Sequence, residues 1–236
     1  METYISRAIT SLIQKLKNDR TYIVVGNYSI FDFFTIVACR GLGLVRGVLP
    51  SIMMRGRGLL FMGKRVSVDN IHRISREGVL LIEDDVSIQA ISGEGIQFGS
   101  NVSIGKKSIL QCTGIIRNQG VGIRIGNNTG IGPMSFIGGQ GGVEIGNDVI
   151  AGPGLRIFSE NHKYNKDEIP IRHQGEVRAK VQIGDNCWIG SNVIITAGVI
   201  IGSGCVIGAG AVVTKNFEKD SVIVGNPARR LKSRFE

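Results

Sequence analysis

The sequence has little proline, cysteine, histidine or tryptophan. Among 236 residues there are five prolines, four cysteines, three histidines and one tryptophan. There is no CxxC pair and no secretory hydrophobic segment with a small-residue cleavage site, so we expect reduced thiols and a cytoplasmic protein. A Walker loop, a Gly-x-Ser-x-Gly elbow, a dinucleotide fingerprint and nucleic-acid-binding motifs are also missing. These absences leave few side chains for catalysis and give no sign of a nucleic-acid partner.

Glycine is abundant, and the charge is unevenly distributed. The chain holds 34 glycines, which with so little proline is typical of a turn-rich solenoid rather than a disordered segment. Residues 1–80 contain 12 basic and five acidic residues, a net charge of +7, whereas residues 81–236 contain 16 and 14, a net charge of +2. The basic excess therefore belongs to the N-terminal third, where it can meet phosphates or an anionic membrane.

A period of six residues dominates residues 181–216. The segment divides into the hexads VQIGDN, CWIGSN, VIITAG, VIIGSG, CVIGAG and AVVTKN, each with an aliphatic third residue. Neither a helix of 3.6 residues per turn nor a plain alternating strand has this period. It predicts short strands joined by tight turns, three to a coil, in a stacked solenoid. The predicted inward residues are Ile183, Ile189, Ile195, Ile201, Ile207 and Val213.

The other hexad positions support this interpretation. Three places after each aliphatic residue comes glycine or asparagine, the types that tolerate a left-handed backbone at a turn. These turn residues are Asn186, Asn192, Gly198, Gly204, Gly210 and Asn216. Cys187 and Cys205 lie one coil apart at the next inward position, so we expect both to be packing residues.

The first 65 residues lack the repeat. Residues 3–18 have the spacing of an amphipathic helix. Residues 21–39 are apolar and long enough for a membrane span, although Gly26 and Asp32 argue against one. Basic residues mixed with apolar ones follow. Two interpretations stay open: a segment attached peripherally to the inner face of the cytoplasmic membrane, or a basic cap on the open end of the solenoid.

The period also sets the expected domain boundaries. We expect an N-terminal amphipathic and basic segment (1–65), a solenoid (66–216) and a C-terminal tail (217–236). A polar segment at about 158–180 interrupts the repeat and holds two of the three histidines. Because solenoids keep insertions outside, we expect this segment to be a protruding loop, and such loops commonly carry function. Within the tail, residues 228–235 are predicted to form a short basic helix after a turn at Asn226 and Pro227.

Histidine is the main candidate for chemistry. His162 comes soon after a coil position, so the solenoid anchors its backbone on one side, whereas His72 and His173 lack such a setting. Imidazole as a side-chain type titrates near neutral pH and can remove a proton from a hydroxyl or an amine. A histidine in a loop is also a common solvated surface residue, and both interpretations stay open at this point.

Five motifs together resemble a known family: the hexads, ENHKY, CWIGSN, VIGAGAVVTKN and VGNPARR. The chain resembles the hexapeptide-repeat acyltransferases, in the branch that holds the xenobiotic, galactoside and maltose acetyltransferases and the O-acetyltransferases of bacterial surface polysaccharides. The resemblance covers roughly residues 66–232. It implies a mainly β fold, a left-handed parallel β-helix. It further implies a homotrimer that binds acetyl-CoA between two subunits and uses no metal.

The resemblance also implies roles for individual residues. His162 is implied to be the general base. The residues implied to contact acetyl-CoA are Trp188 and Ser191 beside the pantetheine arm, Ala209, Thr214 and Lys215 toward the nucleotide, and Arg229 and Lys232 at the phosphates. Without the resemblance, each has an ordinary structural interpretation as a subunit contact, a turn residue or a solvated charge.

Two departures from the galactoside-type pattern bear on the acceptor. The N-terminal segment is longer, more apolar and more basic, and the loop reads HKYNKD where that branch places a proline after the histidine. Both favour a larger acceptor, such as a lipid-linked glycan at the inner membrane face. We therefore expect an acetyl-CoA-dependent O-acetyltransferase acting on a sugar hydroxyl in bacterial surface polysaccharide or glycolipid biosynthesis.

Three alternatives rank below this expectation. One is an N-acetyltransferase of the same fold acting on an amino sugar or an antibiotic. Another is a non-catalytic β-solenoid scaffold, against which the ENHKY insertion and the GNPARR tail count. The last is a zinc hydratase, which would need three histidines converging on one metal ion.

Overall fold

Two helices precede a long series of short strands in the computed structural model, which describes residues 4–17, 20 and 22–236. The helices are α1 (Tyr4–Lys17) and α2 (Ile30–Met53). In chain order the strands are β1 (Arg55–Gly56), β2 (Leu60–Met62), β3 (Ser67–Asp69), β4 (Ile74–Arg76), β5 (Leu80–Ile82), β6 (Ser87–Gln89), β7 (Gly95–Phe98), β8 (Val102–Ile104), β9 (Ile109–Gln111), β10 (Gly122–Ile125), β11 (Gly130–Ile131), β12 (Phe136–Gly138), β13 (Val143–Ile145), β14 (Ile150–Ala151), β15 (Arg156–Phe158), β16 (Glu160–His162), β17 (Glu176–Arg178), β18 (Val181–Ile183), β19 (Trp188–Ile189), β20 (Ile194–Ile195), β21 (Ile200–Ile201), β22 (Val206–Ile207), β23 (Val212–Val213), β24 (Ser221–Val224) and β25 (Arg229–Ser233).

The strands form three sheets that are the faces of a triangular prism, and all their strand pairs are parallel except the last pair of sheet 2. Sheet 1 has the order β1-β4-β7-β10-β13-β18-β21, sheet 2 the order β2-β5-β8-β11-β14-β19-β22-β24-β25, and sheet 3 the order β3-β6-β9-β12-β15-β20-β23. Each coil places one strand in each sheet, and the chain rises one strand spacing, about 4.8 Å, per coil. The fold is the left-handed parallel β-helix that the family resemblance implies.

The core confirms the predicted period. The six predicted inward residues are all buried, and they stack by register, with Ile183 on Ile201 and Ile189 on Ile207. Cys187 and Cys205 are buried at the next inward position, as expected. A hydrogen bond with Cys205, together with burial, raises the pKa of the Cys187 thiol. Both cysteines therefore act as packing residues of the core.

The predicted turn residues adopt a left-handed backbone at five of six positions. Asn186, Asn192, Gly198, Gly204 and Gly210 have φ between 55° and 83°. Asn216 is the exception, and its side-chain Oδ1 accepts a hydrogen bond of 2.8 Å from the backbone N–H of Ile200. The difference arises because the regular coil ends here, so the asparagine satisfies a backbone donor of the preceding coil instead of making the turn.

The predicted C-terminal helix is wrong. Residues 229–233 form strand β25, which runs antiparallel to β24 and closes the last edge of sheet 2. The tight turn at Asn226 and Pro227 brings the chain back beside β24, whose unpaired backbone groups offer a ladder of hydrogen bonds. A helix would leave this edge open, so the tertiary setting overrides the local preference.

The solenoid is longer than the predicted boundaries. It begins at Arg55, eleven residues before the expected start at 66, and it continues through β24 at 221–224, beyond the expected end at 216. The first coil escapes the sequence pattern because the three residues of β2 are all buried, so they do not alternate. They are covered on the outside by α2, which packs on β2.

Helix α2 is therefore a cap on the open end of the solenoid. It begins after Ser29, whose hydroxyl accepts a hydrogen bond from the N–H of Asp32, while the Asp32 carboxylate accepts one from the N–H of Ser29. This capping box explains the aspartate in an otherwise apolar run.

Helix α1 agrees with the amphipathic helix predicted at 3–18. Residues 3 and 18 of that prediction lie outside the described residues, as does Thr21 of the predicted apolar run.

Candidate active site

The polar interruption of the repeat is a two-stranded ribbon that leaves the prism between sheets 3 and 1. The chain leaves the coil after β15, and β16 then pairs antiparallel with β17, so that Glu160 lies opposite Arg178 and His162 opposite Glu176. A short 3-10 turn at Ile171–His173 lies between the two strands. The protruding loop predicted at about 158–180 is thus present, and its base is regular β-structure.

A clamp of charged hydrogen bonds holds the base of this ribbon. Arg178 Nε donates to Glu160 Oε2 at 2.6 Å, and both side chains are largely buried. The remaining guanidinium nitrogens donate to the Asn118 side chain at 3.0 Å and to the backbone oxygens of Asn118 and Gln119 at 2.8 and 2.7 Å. Because a guanidinium offers its donors in a rigid planar fork, this one side chain fixes the ribbon relative to the body.

The residues that complete the clamp come from a turn that sequence reasoning missed. Residues 112–121 connect β9 to β10 at the same edge of the prism, two coils below the start of the ribbon. Arg117 Nη2 of this turn donates to Glu176 Oε1 at 3.2 Å, and the Glu176 side chain is mostly buried. A signal was available, since the spacing of inward residues between Leu110 and Ile123 is too long for two hexads.

The ribbon presents His162 at its outer surface. The imidazole is exposed and makes no hydrogen bond to any residue that the structure describes. Its register partner Glu176 lies directly across the ribbon, where side chains of an antiparallel pair share a face. The clamp thus places a histidine with a nearby carboxylate on a fixed backbone, with the ring open toward any molecule that approaches this edge.

The other two histidines lie elsewhere. His173 is exposed in the 3-10 turn of the ribbon, and His72 is exposed in a 3-10 turn before β4, near the other end of the prism. Within residues 4–17, 20 and 22–236, no three His, Cys, Asp or Glu side chains lie close enough to hold a metal ion. The three histidines do not converge, and the zinc hydratase needs that convergence.

Trp188 lies on the outer surface of sheet 2, 58% exposed. Its register neighbours along the sheet are Ile150 on one side and Val206 on the other. Val206 is followed by Val222, and Val222 pairs with Lys232 of β25. Three strand spacings, about 14 Å, therefore separate the tryptophan from the lysine along one continuous outer ladder.

Other predicted cofactor residues border this ladder. Ser191 and Ala209 lie in successive turns from sheet 2 to sheet 3, half-buried and exposed respectively. Gly190 lies so close to the backbone of Ala209 that a Cβ there would be 2.5 Å from the Ala209 nitrogen. Arg229 and Lys232 are exposed on β25. The strip of Trp188, Ser191, Ala209, Arg229 and Lys232 is therefore one apolar-to-basic surface, called the sheet-2 strip below.

Thr214 and Lys215 do not join this strip. Both are exposed after β23, at the corner from sheet 3 to sheet 1. The ribbon leaves the prism at this same corner, but two coils lower. Its start therefore lies about 10 Å from Thr214 and Lys215 along the prism. The Lys215 ammonium lies over the Phe217 ring, 5.7 Å from its centroid. In one chain, these two residues share an edge with His162 rather than with Trp188.

The predicted site residues thus form two groups on opposite sides of the prism. The ribbon leaves at the corner between sheets 3 and 1, and sheet 2 is the face opposite that corner. A single copy of the chain cannot bring His162 to the sheet-2 strip, because the whole core lies between them. If both groups serve one reaction, they come from two copies.

Comparison with known proteins identifies the repeat. Residues 180–215 match the family model described as "Bacterial transferase hexapeptide (six repeats)". The repeat is the bacterial transferase hexapeptide. This match confirms the resemblance seen in the hexads. No match to this sequence was found among curated proteins.

Solved structures with the same fold include the N-acyltransferase AntD from Bacillus cereus. A point mutant of AntD, in complex with dTDP and coenzyme A, is 24% identical, with a TM-score of 0.54 over 72% of this chain and 85% of that one. AntD in complex with dTDP and 3-hydroxybutyryl-CoA is 20% identical, with a TM-score of 0.52 over 80% and 87%. The polySia-specific acetyltransferase NeuO is 26% identical, with a TM-score of 0.42 over 76% and 75%. At these values the AntD structures support the fold alone, and the NeuO structure is too dissimilar to add support.

Proposed function

We propose that this protein is a coenzyme A-dependent acyltransferase, and more narrowly an O-acetyltransferase that modifies a sugar hydroxyl during the synthesis of a bacterial surface polysaccharide or glycolipid. The observation that supports this most is the clamped ribbon. Two arginines and their partners hold an insertion whose outer surface presents an open histidine. A solenoid that served only as a scaffold would not need such a clamp.

His162 acts as general base in this proposal. The imidazole accepts the proton of the acceptor hydroxyl while that oxygen attacks the thioester carbonyl carbon of acetyl-CoA. The carbon–sulfur bond then breaks, and the thiolate of coenzyme A takes up the proton from the imidazolium. Glu176 lies opposite His162 in the ribbon, and its ion pair with Arg117 at 3.2 Å helps to hold this part of the ribbon in place.

The sheet-2 strip supplies the donor site. The Trp188 ring and its aliphatic neighbours offer an apolar surface for the pantetheine arm. Arg229 and Lys232, at the far end of the ladder, offer cations for the phosphates. Thr214 and Lys215 lie on the opposite edge of the same chain, so in this proposal they contact a cofactor held mainly by a neighbouring chain.

A homotrimer completes the site. Because His162 and the sheet-2 strip lie on opposite sides of one prism, a ring of three copies places the ribbon of each beside sheet 2 of the next. Each of the three sites is then assembled from two chains. The prism faces carry apolar residues that a contact between copies would bury, such as Ile150, which is exposed beside Trp188.

Co-expression of two defective chains tests this arrangement. One chain carries His162→Ala and the other Arg229→Ala with Lys232→Ala, and each alone is expected to be impaired. With random assortment, about a quarter of the sites combine an unaltered ribbon with an unaltered sheet-2 strip. Activity at low acetyl-CoA should therefore return to about a quarter of the wild-type activity. If the mixed population has no more activity than its components, or if light scattering gives a monomer mass, the two-chain site is wrong.

The class of acceptor needs a separate assay. Release of the coenzyme A thiol from acetyl-CoA is measured with oligosaccharides that carry free hydroxyls and with an amino-sugar nucleotide. An amine acceptor is the second candidate, because the AntD structures are described as an N-acyltransferase crystallised with dTDP. We expect turnover with the hydroxyl acceptors. Turnover with the amine alone would replace the O-acetyl proposal and leave acyl transfer in place, while no thiol release with either would count against acyl transfer.

A further inference from the structure

Helix α2 lies on the first coil through its glycines. Gly43 and Gly47 are the buried residues of the helix, one turn apart, and both face β2. A Cβ at Gly47 would overlap the carbonyl oxygen of Leu60, so the helix backbone rests directly on the strand. Arg46 Nε also donates to the Met62 carbonyl at 2.9 Å. These contacts fix which side of the helix faces the protein.

The opposite side of α2 is apolar and uncovered. At about 100° per residue, Phe31, Phe34, Val45 and Ile52 fall within one arc opposite the two glycines. Phe31 is 79% exposed, Val45 70% and Ile52 76%. A helix on the surface of a soluble protein normally presents polar residues on this side. A continuous exposed apolar strip of this size marks a surface that meets another apolar phase.

The charges around this strip are almost all positive. Residues 22–65 contain six Lys or Arg and one acidic residue, Asp32, whose carboxylate serves the capping box. The three charged residues of α2 itself lie outside the apolar arc. Arg40, Arg55 and Arg57 make no ion pair with any described residue. The region therefore combines exposed apolar area with free cations.

We infer that the outward face of α2 docks on the surface of an anionic lipid bilayer. Two terms add in such binding: burial of the apolar side chains at the headgroup boundary, and attraction of about 1 kcal/mol per basic residue close to anionic lipid. A second copy of the chain fits the surface less well, because a two-fold contact through this face would bring the two sets of cations together.

The helix lies along the bilayer rather than across it. Among the described residues, α2 alone has the length and apolar composition of a membrane span. A spanning orientation would carry the first coil into the hydrocarbon, since Gly47 and Arg46 attach the helix to β2. The exposed Arg55 and Arg57 of that coil would lose their water there. Docking on the surface leaves them at the headgroups.

Vesicle flotation of the full-length protein tests this inference, which does not depend on the acyltransferase proposal. The probes are phosphatidylcholine vesicles with and without phosphatidylglycerol, at low and high salt. We expect the protein to float with the anionic vesicles, and to do so less at high salt without losing all binding. Phe31→Gln with Phe34→Gln should lower the bound fraction about tenfold or more.

A matched variant separates lipid binding from general surface hydrophobicity. Ile116→Gln removes an exposed apolar side chain in the turn at 112–121, away from α2, and should leave flotation unchanged. Unchanged circular dichroism and melting temperature show that the double variant is folded. The inference is overturned if wild type does not float with anionic vesicles, or if the folded double variant floats as well as wild type. A third result would also overturn it: wild type does not bind the vesicles, and the double variant has a different oligomer mass. The outward face of α2 would then be an interface between copies of the chain.

Discussion

The ribbon and the N-terminal cap are both departures from the repeat, and they are held to the prism by opposite means. The ribbon is polar and is held by charged hydrogen bonds from Arg178 and Arg117. The cap is apolar and is held by close backbone contact at Gly43 and Gly47. The ribbon thus depends on particular side chains at its base, whereas the cap depends on the absence of side chains. Substitutions in the two regions should therefore have separate consequences.

The two ends of the prism sharpen this contrast. At the C-terminal end the last strand of sheet 2 is covered by β25, whose outer residues include the exposed Arg230 and Lys232. At the N-terminal end the first strand is covered by α2, whose outer residues are apolar. Both devices close an open edge. Closing an edge therefore does not require an apolar outer surface, and the exposed strip of α2 needs a reason of its own.

Replacing the ribbon histidine is expected to have the largest effect. His162→Ala removes the general base and should lower kcat about 100-fold or more, with little change in coenzyme A affinity, because the proposed cofactor contacts are made by the sheet-2 strip and not by the imidazole. Steady-state kinetics and a coenzyme A titration measure both quantities. His173→Ala is the matched control, since His173 is exposed on the same ribbon, and it should keep normal kcat. Near-normal turnover of His162→Ala would remove the catalytic role.

Filling the glycine contact of the cap is expected to have the next largest effect. Gly47→Ala puts a methyl group against the Leu60 carbonyl, which cannot move without shifting β2, so we expect a loss of about 1–3 kcal/mol in stability. Gly41→Ala in the same helix meets nothing within 4 Å and should stabilise slightly, because alanine is the better helix former. Thermal and urea unfolding compare the two. Equal stability of both variants would show that α2 is not held by close backbone contact.

The solenoid was predictable because its physics repeats along the chain. The aliphatic positions and left-handed turns at residues 181–213 follow from a period that each coil imposes on the next. The first coil was missed because α2 covers β2, and a strand buried on both sides loses its alternation. The C-terminal strand was missed because its partner is the edge of a finished sheet, which local sequence does not reveal.

The site was only partly predictable for a related reason. A resemblance to a family transfers single residues, and the histidine and the tryptophan could be named in this way. The clamp could not, since Arg178 and Asn118 are 60 residues apart in sequence and meet only when successive coils stack. That His162 and Trp188 lie on opposite sides of one chain also follows from the three-sheet topology alone.

Loosening the ribbon without touching the histidine is expected to have a smaller effect. Arg178→Ala removes the bonds to Glu160, Asn118 and Gln119, so His162 is held less well, and we expect kcat to fall about tenfold. Hydrogen exchange should become faster in residues 160–178, which a purely global loss of stability would not confine to the ribbon. Arg172→Ala, on the exposed part of the ribbon, is the matched control. Unchanged kcat together with unchanged exchange in Arg178→Ala would show that Arg178 is not a positioning residue.

The smallest effect is expected at the outer end of the ribbon base, where Lys180 Nζ lies 2.6 Å from Glu144 Oε1 on the surface of sheet 1. The hydrogen bond with Lys180 lowers the pKa of the Glu144 carboxyl below its ordinary value of 4.5, with a smaller contribution from Gln182. Since the folded protein holds the carboxylate in its charged form, this contribution is present above the unfolded pKa. It is lost as the pH falls through the folded pKa.

Glu144→Gln keeps the shape of that side chain and removes its charge. Both partners are about half-exposed, so the variant should lose less than about 1 kcal/mol of stability at neutral pH. The difference from wild type should shrink as the pH falls below the folded pKa, and salt should reduce it at neutral pH because the pair is screened. Urea unfolding across this pH range, at two salt concentrations, measures the difference. A difference that stays constant from neutral to acid pH would assign the effect to packing and hydrogen bonding by the amide-shaped group. In that case Arg178 and Arg117 would be the residues whose charges hold the ribbon. The difference between the charge-held ribbon and the glycine-held cap would then rest on those two side chains.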